Sequence, residues 1–193
     1  MQFFIKKYKK ENDINTKYEV IAELFSSRIG RVLDMPVLEI IPKEEGLKMK
    51  LLQKKSDGKA KNVDKIKRAL AFEEWLLNID LKEEHVMADN NNTAYIIDHG
   101  HSLSAWKPLY YVVEIINRPV TRFKLWSDRE SYSEGVEIVR SLDCEQTKIL
   151  LKETANEVAH IFNLNNDEIT DFISISSRIL EYRKKNLHLL FAN

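Results

Sequence analysis

"FEEWLLNIDLKEEHVMADNNNTAYIIDHGHSL", residues Phe72–Leu103, is the stretch on which the fold turns. A helical pattern ends near Asn78, and Asp80 follows it in a loop. "HVMADNNNTAYII" (His85–Ile97) reads as a β-hairpin, because Asp-Asn-Asn-Asn supplies turn residues between two apolar runs. The second run ends on Asp98-His99-Gly100-His101. A helix, an acid, a hairpin and an acid-X-Gly therefore follow one another. The hairpin is expected to bring Asp80 and Asp98, at its two ends, close together in space.

The pattern extends outward on both sides. Gln2–Tyr8 is rich in aromatic and β-branched residues and predicts a strand. Lys17–Leu33 carries Ile21, Leu24, Phe25 and Val32 on one helical stripe, with Thr16 and Glu19 spaced as a capping box. Asp34-Met35-Pro36 stops that helix, since the residue before a proline avoids helical geometry. "VLEIIP" and the alternating "LKMKLLQ" (Leu47–Gln53) predict two more strands. Helices are predicted at Val63–Leu77, Ser131–Leu142, Glu145–Phe162 and Asp167–Leu190. Asp143 with Gln146 and Asn165 with Glu168 are start signals for the last two. Residues 104–127 fit helix and extended structure equally. The expected class is α+β, with a small sheet and one helix over residues 1–55 and a mainly helical part with a hairpin over 56–193.

Composition narrows the function. Lys plus Arg and Asp plus Glu are both 30, so the formal charge is zero and nothing global calls for nucleic acid or an anionic membrane. No apolar run approaches a membrane span. The positive charges of "MQFFIKKYKK" follow its short apolar stretch, whereas a signal peptide has them in front. Cys144 is the only cysteine and fits a small structural residue in a reducing compartment. A cytoplasmic protein is expected.

Two acids presented by rigid elements suit phosphoryl transfer. One orients a hydroxyl nucleophile and the other holds Mg²⁺ on nucleotide phosphates. In protein kinases these acids lie in an Asp followed five positions later by Asn, and in Asp-Phe-Gly. Here Asp80 is followed at that spacing by His85, and Asp98-His99-Gly100 stands in the second position. The first strand offers Lys6 or Lys7, and the following helix offers Glu19 and Glu23; a strand lysine beside a helix glutamate grips phosphates. The rival chemistry is a metal-dependent hydrolase, since His85, Asp98, His99 and His101 are zinc-binding residue types.

These motifs together resemble the HipA-like kinases, which share a fold with phosphatidylinositol 3/4-kinases. "KYEVIAELFSSRIGRVLDMPVLEI", "FEEWLLNIDLKEEHVM", "AYIIDHGHSL" and "SSRILEYRKKNL" carry the likeness in order along most of the chain. The Asp-His-Gly-His stretch is the most specific. The resemblance implies a single two-lobed kinase domain, a reduced N-lobe over 1–55 and a helical C-lobe over 56–193, using ATP and Mg²⁺. It implies Asp80 as catalytic acid, Asp98 as metal ligand, Lys6 as phosphate-gripping lysine (Lys7 the fallback) and Glu19 as its partner. The chain departs from the family at His85, where an asparagine metal ligand is expected, and at Leu81, where arginine is usual. Only five residues precede Lys6, which leaves no room for the usual strand pair and glycine-rich loop. The alternative is a pseudokinase-type binding module without phosphoryl transfer, presenting the lysine-rich stretch 54–67 or the aromatic stretch 106–126. The expected partners are a nucleotide and a protein substrate.

Overall fold

The computed structural model describes residues 2–9 and 14–191. The class is α+β, as expected. Strand β1 (Phe3–Lys7) is followed by helix α1 (Ile14–Val32), β2 (Ile40–Lys43) and β3 (Gly46–Lys50). The sheet is antiparallel in the order β1-β3-β2, with Lys6 opposite Leu47 and Ile41 opposite Lys48. α1 starts earlier than its sequence signal. Thr16 therefore lies inside the helix with its hydroxyl unbonded, and Glu19 turns away to other partners instead of closing a capping box.

A second three-stranded sheet carries the decisive stretch. β4 (Lys54–Lys55) pairs with β5 (Val86–Ala88), which pairs with β6 (Ala94–Ile96). The hairpin forms where the sequence places it. Asp89 Oδ1 accepts from the backbone amides of Asn91 (2.9 Å) and Thr93 (3.0 Å), and Asn92 adopts the left-handed conformation (φ 59°) that asparagine tolerates. The two sheets are joined through residues 51–53. They are also tied by a parallel bridge from Val37 to Ile96.

The helices behind this hairpin are α2 (Val63–Trp75), α3 (Leu109–Ile115), α4 (Arg129–Arg140), α5 (Cys144–Phe162) and α6 (Asn166–Asn186). α3 resolves the ambiguous stretch 104–127 as one short helix between irregular segments. The start signals of α5 and α6 work as expected: Asp143 accepts from Gln146 N, and Asn165 with Glu168 makes a full capping box. One apolar core runs through α1, α2 and the inner faces of α4–α6, with Phe25, Phe72, Trp75 and Tyr132 at its centre.

A polar staple crosses this core. Arg183 of α6 is fully buried and donates to the carbonyls of Glu74 (2.5 Å), Ile116 (2.9 Å) and Arg118 (3.1 Å) and to the Glu74 carboxylate (2.7 Å). Glu74 also accepts from Val120 N, Thr121 N and the Thr121 hydroxyl. The pair is well satisfied, which a buried charge requires. It locks segment 116–121 against the end of α2. Among the described residues no helix is long and apolar enough to cross a membrane.

Candidate functional site

The site begins at the end of α2. Leu77 N bonds to Glu74 O and Asn78 N to Glu73 O, closing the helix with a Schellman turn. The left-handed position is Leu77 (φ 57°), where glycine is usual. Asn78 then donates its side-chain amide to Glu73 (2.7 Å) and accepts from the Asp80 backbone amide (3.3 Å). The loop bearing Asp80 is thus fixed at its root. The Asp80 carboxylate pairs with Lys82 (3.1 Å) and lies 3.5 Å from Arg122.

The hairpin does not set Asp80 directly against Asp98. Its ladder pairs Val86 with Ile96, and the next bond joins Ile97 N to His85 O at 2.9 Å. His85 is thus held opposite Ile97, beside Asp98, and its Nε2 lies 3.8 Å from Asp98 Oδ2. Asp80 is set back by the single turn of 3₁₀ helix at Glu83–His85. Asp98 has φ 68°, a left-handed backbone that an aspartate tolerates, and its carboxylate is almost half exposed.

Lys6 meets Asp98 from the first sheet. Its Nζ lies 2.6 Å from Asp98 Oδ1 and 3.7 Å from Glu23 Oε2. Burial pulls the Lys6 ammonium down, but Glu23, Asp98 and Glu19 together raise it above its ordinary value. Burial pushes the Asp98 carboxyl up, and the nearby positive groups, Lys6 foremost, together leave Asp98 below the usual carboxylate range. Lys7 points to solvent, because neighbouring strand residues face opposite ways.

The helix acid nearest Lys6 is Glu23, one turn beyond Glu19. Glu19 instead accepts from Lys9 (2.8 Å) and from Trp106 Nε1 (3.2 Å), and packs over Gly100. It therefore ties α1 to the segment after Asp98. A β-carbon added at Gly100 would sit 2.4 Å from Glu19 Cγ, so this close approach needs glycine.

Two of the three imidazoles in this region are committed elsewhere. His99 is buried and bonds to Glu73 at 2.9 Å. Burial pulls its pKa down and Glu73 pulls it up, with a net rise. His101 stacks on Trp106 with ring centroids 5.9 Å apart. Among the described residues no three His, Cys, Asp or Glu side chains converge as a metal cage, so the four candidates of a hydrolase site are dispersed.

Lys6, Glu23 and Asp98 line one cleft between the two sheets, of about 360 Å³. The rest of its wall is mainly apolar: Phe4, Leu38, Met49, Leu52, Met87 and Ile97 are among it. That volume and a few charged groups in an apolar wall are typical of small-molecule sites. The wall was only partly legible in sequence: the alternation of β3 marks Met49 as inward-facing, whereas Phe4, Met87 and Ile97 converge through tertiary pairing. Arg122, the Asp80 partner, carried no sequence signal. The charged groups of the lining are the carboxylates of Glu23 and Asp98 and the ammonium groups of Lys6 and Lys50, while His85, which faces Asp98, is not part of the wall. Mg²⁺ is usually held by one or two carboxylates plus substrate phosphates and water.

No family model, curated protein or solved structure matches the chain.

Proposed function

We propose that the chain is an ATP-Mg²⁺-binding phosphotransferase of the HipA-like kinase type, with a reduced N-lobe and a helical C-lobe meeting at the inter-sheet cleft. The observation that carries this is the junction of Lys6, Glu23 and Asp98 at one end of an apolar cavity of about 360 Å³. An apolar wall suits a planar base, and a lysine with a flanking acid suits its phosphates.

Bound Mg-ATP supplies the transferable phosphoryl group. Lys6 neutralises phosphate charge, and Glu23 holds the Lys6 stem end in place from α1. Asp98 and His85 are the residues that would hold the metal. Asp80, steadied by Lys82 and Arg122, orients the acceptor hydroxyl. Glu19 and Trp106 brace the segment after Asp98 so that its carboxylate keeps its aim.

Titration calorimetry with ATP, with and without Mg²⁺, tests the binding step. Metal-dependent binding that is lost in Asp98→Ala is expected, and no binding at millimolar ATP refutes the proposal. Turnover is read from labelled ATP with a panel of protein acceptors, and Asp80→Asn is expected to abolish it while preserving binding. A pseudokinase-type binding module is the second reading, favoured by one observation: Asp80 is held by Lys82 and Arg122 outside the residues that line the cleft. Binding without turnover in wild type selects it.

A further inference from the structure

Strand β1 leaves one edge of its sheet open: among the described residues it pairs only with β3. The phase of that ladder is set just beyond its two ends, where Leu51 N bonds to Gln2 O (3.0 Å) and Tyr8 N to Glu45 O (3.2 Å). In an antiparallel ladder one residue spends both backbone groups on one side, and the next spends them on the other. Phe4 and Lys6 therefore bond inward to β3, in step with Gln2 and Tyr8. The amides and carbonyls of Phe3, Ile5 and Lys7 point outward, away from β3. Phe3 and Phe4 stand on this edge with about half their surface exposed (52% and 48%). An open edge that carries exposed aromatic residues is a template for another strand.

We propose that β1 pairs with β1 of a second copy of this chain, antiparallel and centred on Ile5, so that two sheets join across a twofold axis. The pairing stands apart from the nucleotide reading and does not depend on it. In this register Ile5 lies opposite Ile5 of the partner subunit, and Phe3 opposite Lys7 of the partner subunit. Each of these outward residues then exchanges both backbone bonds with its opposite. Centring on Lys6 would set that lysine against itself, and centring on Phe4 would leave Lys6 and Lys7 beyond the paired strands. Lysine on an edge usually blunts pairing. Here the lysines occupy one end of β1 and the phenylalanines the other, so reversing the direction sets ammonium against ring. The fold already makes that contact, with Lys48 Nζ 4.4 Å from the centre of the Phe3 ring. The two Lys7 residues would lie about 13 Å apart along the ladder, beyond the screening length of about 8 Å at physiological salt. The two Lys6 residues would lie closer, but each is held by its own Asp98 and Glu23. Phe4 and Lys6 both line the cleft, so Phe4 of the partner subunit stands beside Lys6 and extends the cleft wall.

The test is sedimentation velocity of the whole chain across a wide concentration range, in wild type, Phe3→Lys and Phe3→Glu, with amide hydrogen exchange of the wild type. Wild type is expected to dimerise as concentration rises. Phe3→Lys sets a lysine opposite Lys7 of the partner subunit and is expected to weaken the dimer about tenfold; Phe3→Glu sets a carboxylate there and is expected to keep it. Both variants remove the same half-exposed ring, and circular dichroism is expected to show both folded as wild type. The amides of Phe3, Ile5 and Lys7 are expected to exchange more slowly as concentration rises, whereas those of Phe4 and Lys6 are protected by β3 at every concentration. A monomer at all concentrations overturns the proposal. So does a dimer weakened equally by both variants, or one in which the outward amides exchange as fast as in the monomer.

Discussion

Replacing Lys6 with Met separates stability from binding in a way the geometry fixes. Lys6 is shared: it bonds to the half-exposed Asp98 at 2.6 Å and faces the nearly inaccessible Glu23 at 3.7 Å. Asp98 can turn to water when Lys6 is lost, but Glu23 cannot. Breaking a fully buried ion pair costs about 3–5 kcal/mol. Lys6 itself is one-third exposed, so solvent screening discounts the loss to about 1–3 kcal/mol. For a domain of this size that corresponds to a fall in Tm of about 2–12 °C. Adding Glu23→Gln removes the stranded charge, and the double variant is expected to recover most of that fall. Nucleotide binding is expected to behave differently. A charged hydrogen bond contributes about 1.5–3 kcal/mol, so both K6M and K6M/E23Q should bind ATP about 10- to 150-fold more weakly. Differential scanning calorimetry reads the first effect and isothermal titration the second. If Glu23→Gln fails to restore stability, Glu23 is not held by Lys6; if K6M binds ATP as wild type does, Lys6 does not face the phosphates.

Arg183→Met is expected to lower stability by about 3–5 kcal/mol, or about 6–20 °C in Tm, because it strands the Glu74 carboxylate and several carbonyls; Arg183→Met with Glu74→Gln should cost less than the two changes summed. A loss below about 1 kcal/mol in urea titration would show that the staple is not what holds segment 116–121. His99 sets a pH signature: its native pKa is raised, so its contribution is fully present below its unfolded value near 6.5 and declines as pH rises through the native value. The stability advantage of wild type over His99→Phe should therefore shrink as pH rises above about 6.5, and an advantage that widens would contradict the Glu73 pairing. Gly100→Ala drives a methyl into Glu19 and should cost about 1–3 kcal/mol, while weakening ATP binding through the displaced Asp98 segment. Thermal melts together with ATP titration check both halves of that expectation.

What the sequence disclosed and what it hid follow from the range of the forces involved. The hairpin, the helices and the starts of α5 and α6 are local, set by turn residues, periodicity and caps within a few positions. The start of α1 misled because Thr16 and Glu19 fit a capping box by spacing, while tertiary bonds from Lys9 and Trp106 claim Glu19. The choice between Glu19 and Glu23 for Lys6 turns on one helical turn, and only the packing of α1 on β1 decides it. The hairpin was legible, yet its register was not: His85 is held opposite Ile97, and the side chain brought beside Asp98 is therefore that of His85 and not of Asp80. Residues 104–127 were ambiguous for a physical reason: their conformation is imposed by Glu74 and Arg183, which lie far away in sequence.

The last turn of α2 explains how a short chain keeps this site rigid. Two consecutive buried acids leave it on different errands: Glu73 reaches His99 and Asn78 beside the site, and Glu74 reaches Arg183, Val120 and Thr121 behind it. Both loops that flank the cleft acids thus hang from one helix end. The residue that turns the chain there, Leu77, takes a left-handed backbone at a cost of about 1–2 kcal/mol. Glycine would relieve that strain, but it would forfeit the packing of the fully buried Leu77 against Val112, Ile115 and Ile179. Burying a leucine side chain contributes about 1.5–3 kcal/mol, which matches or exceeds the strain. The strained turn is therefore stable because it joins α3 and α6 to α2, and the same join fixes the direction in which the chain departs toward Asp80.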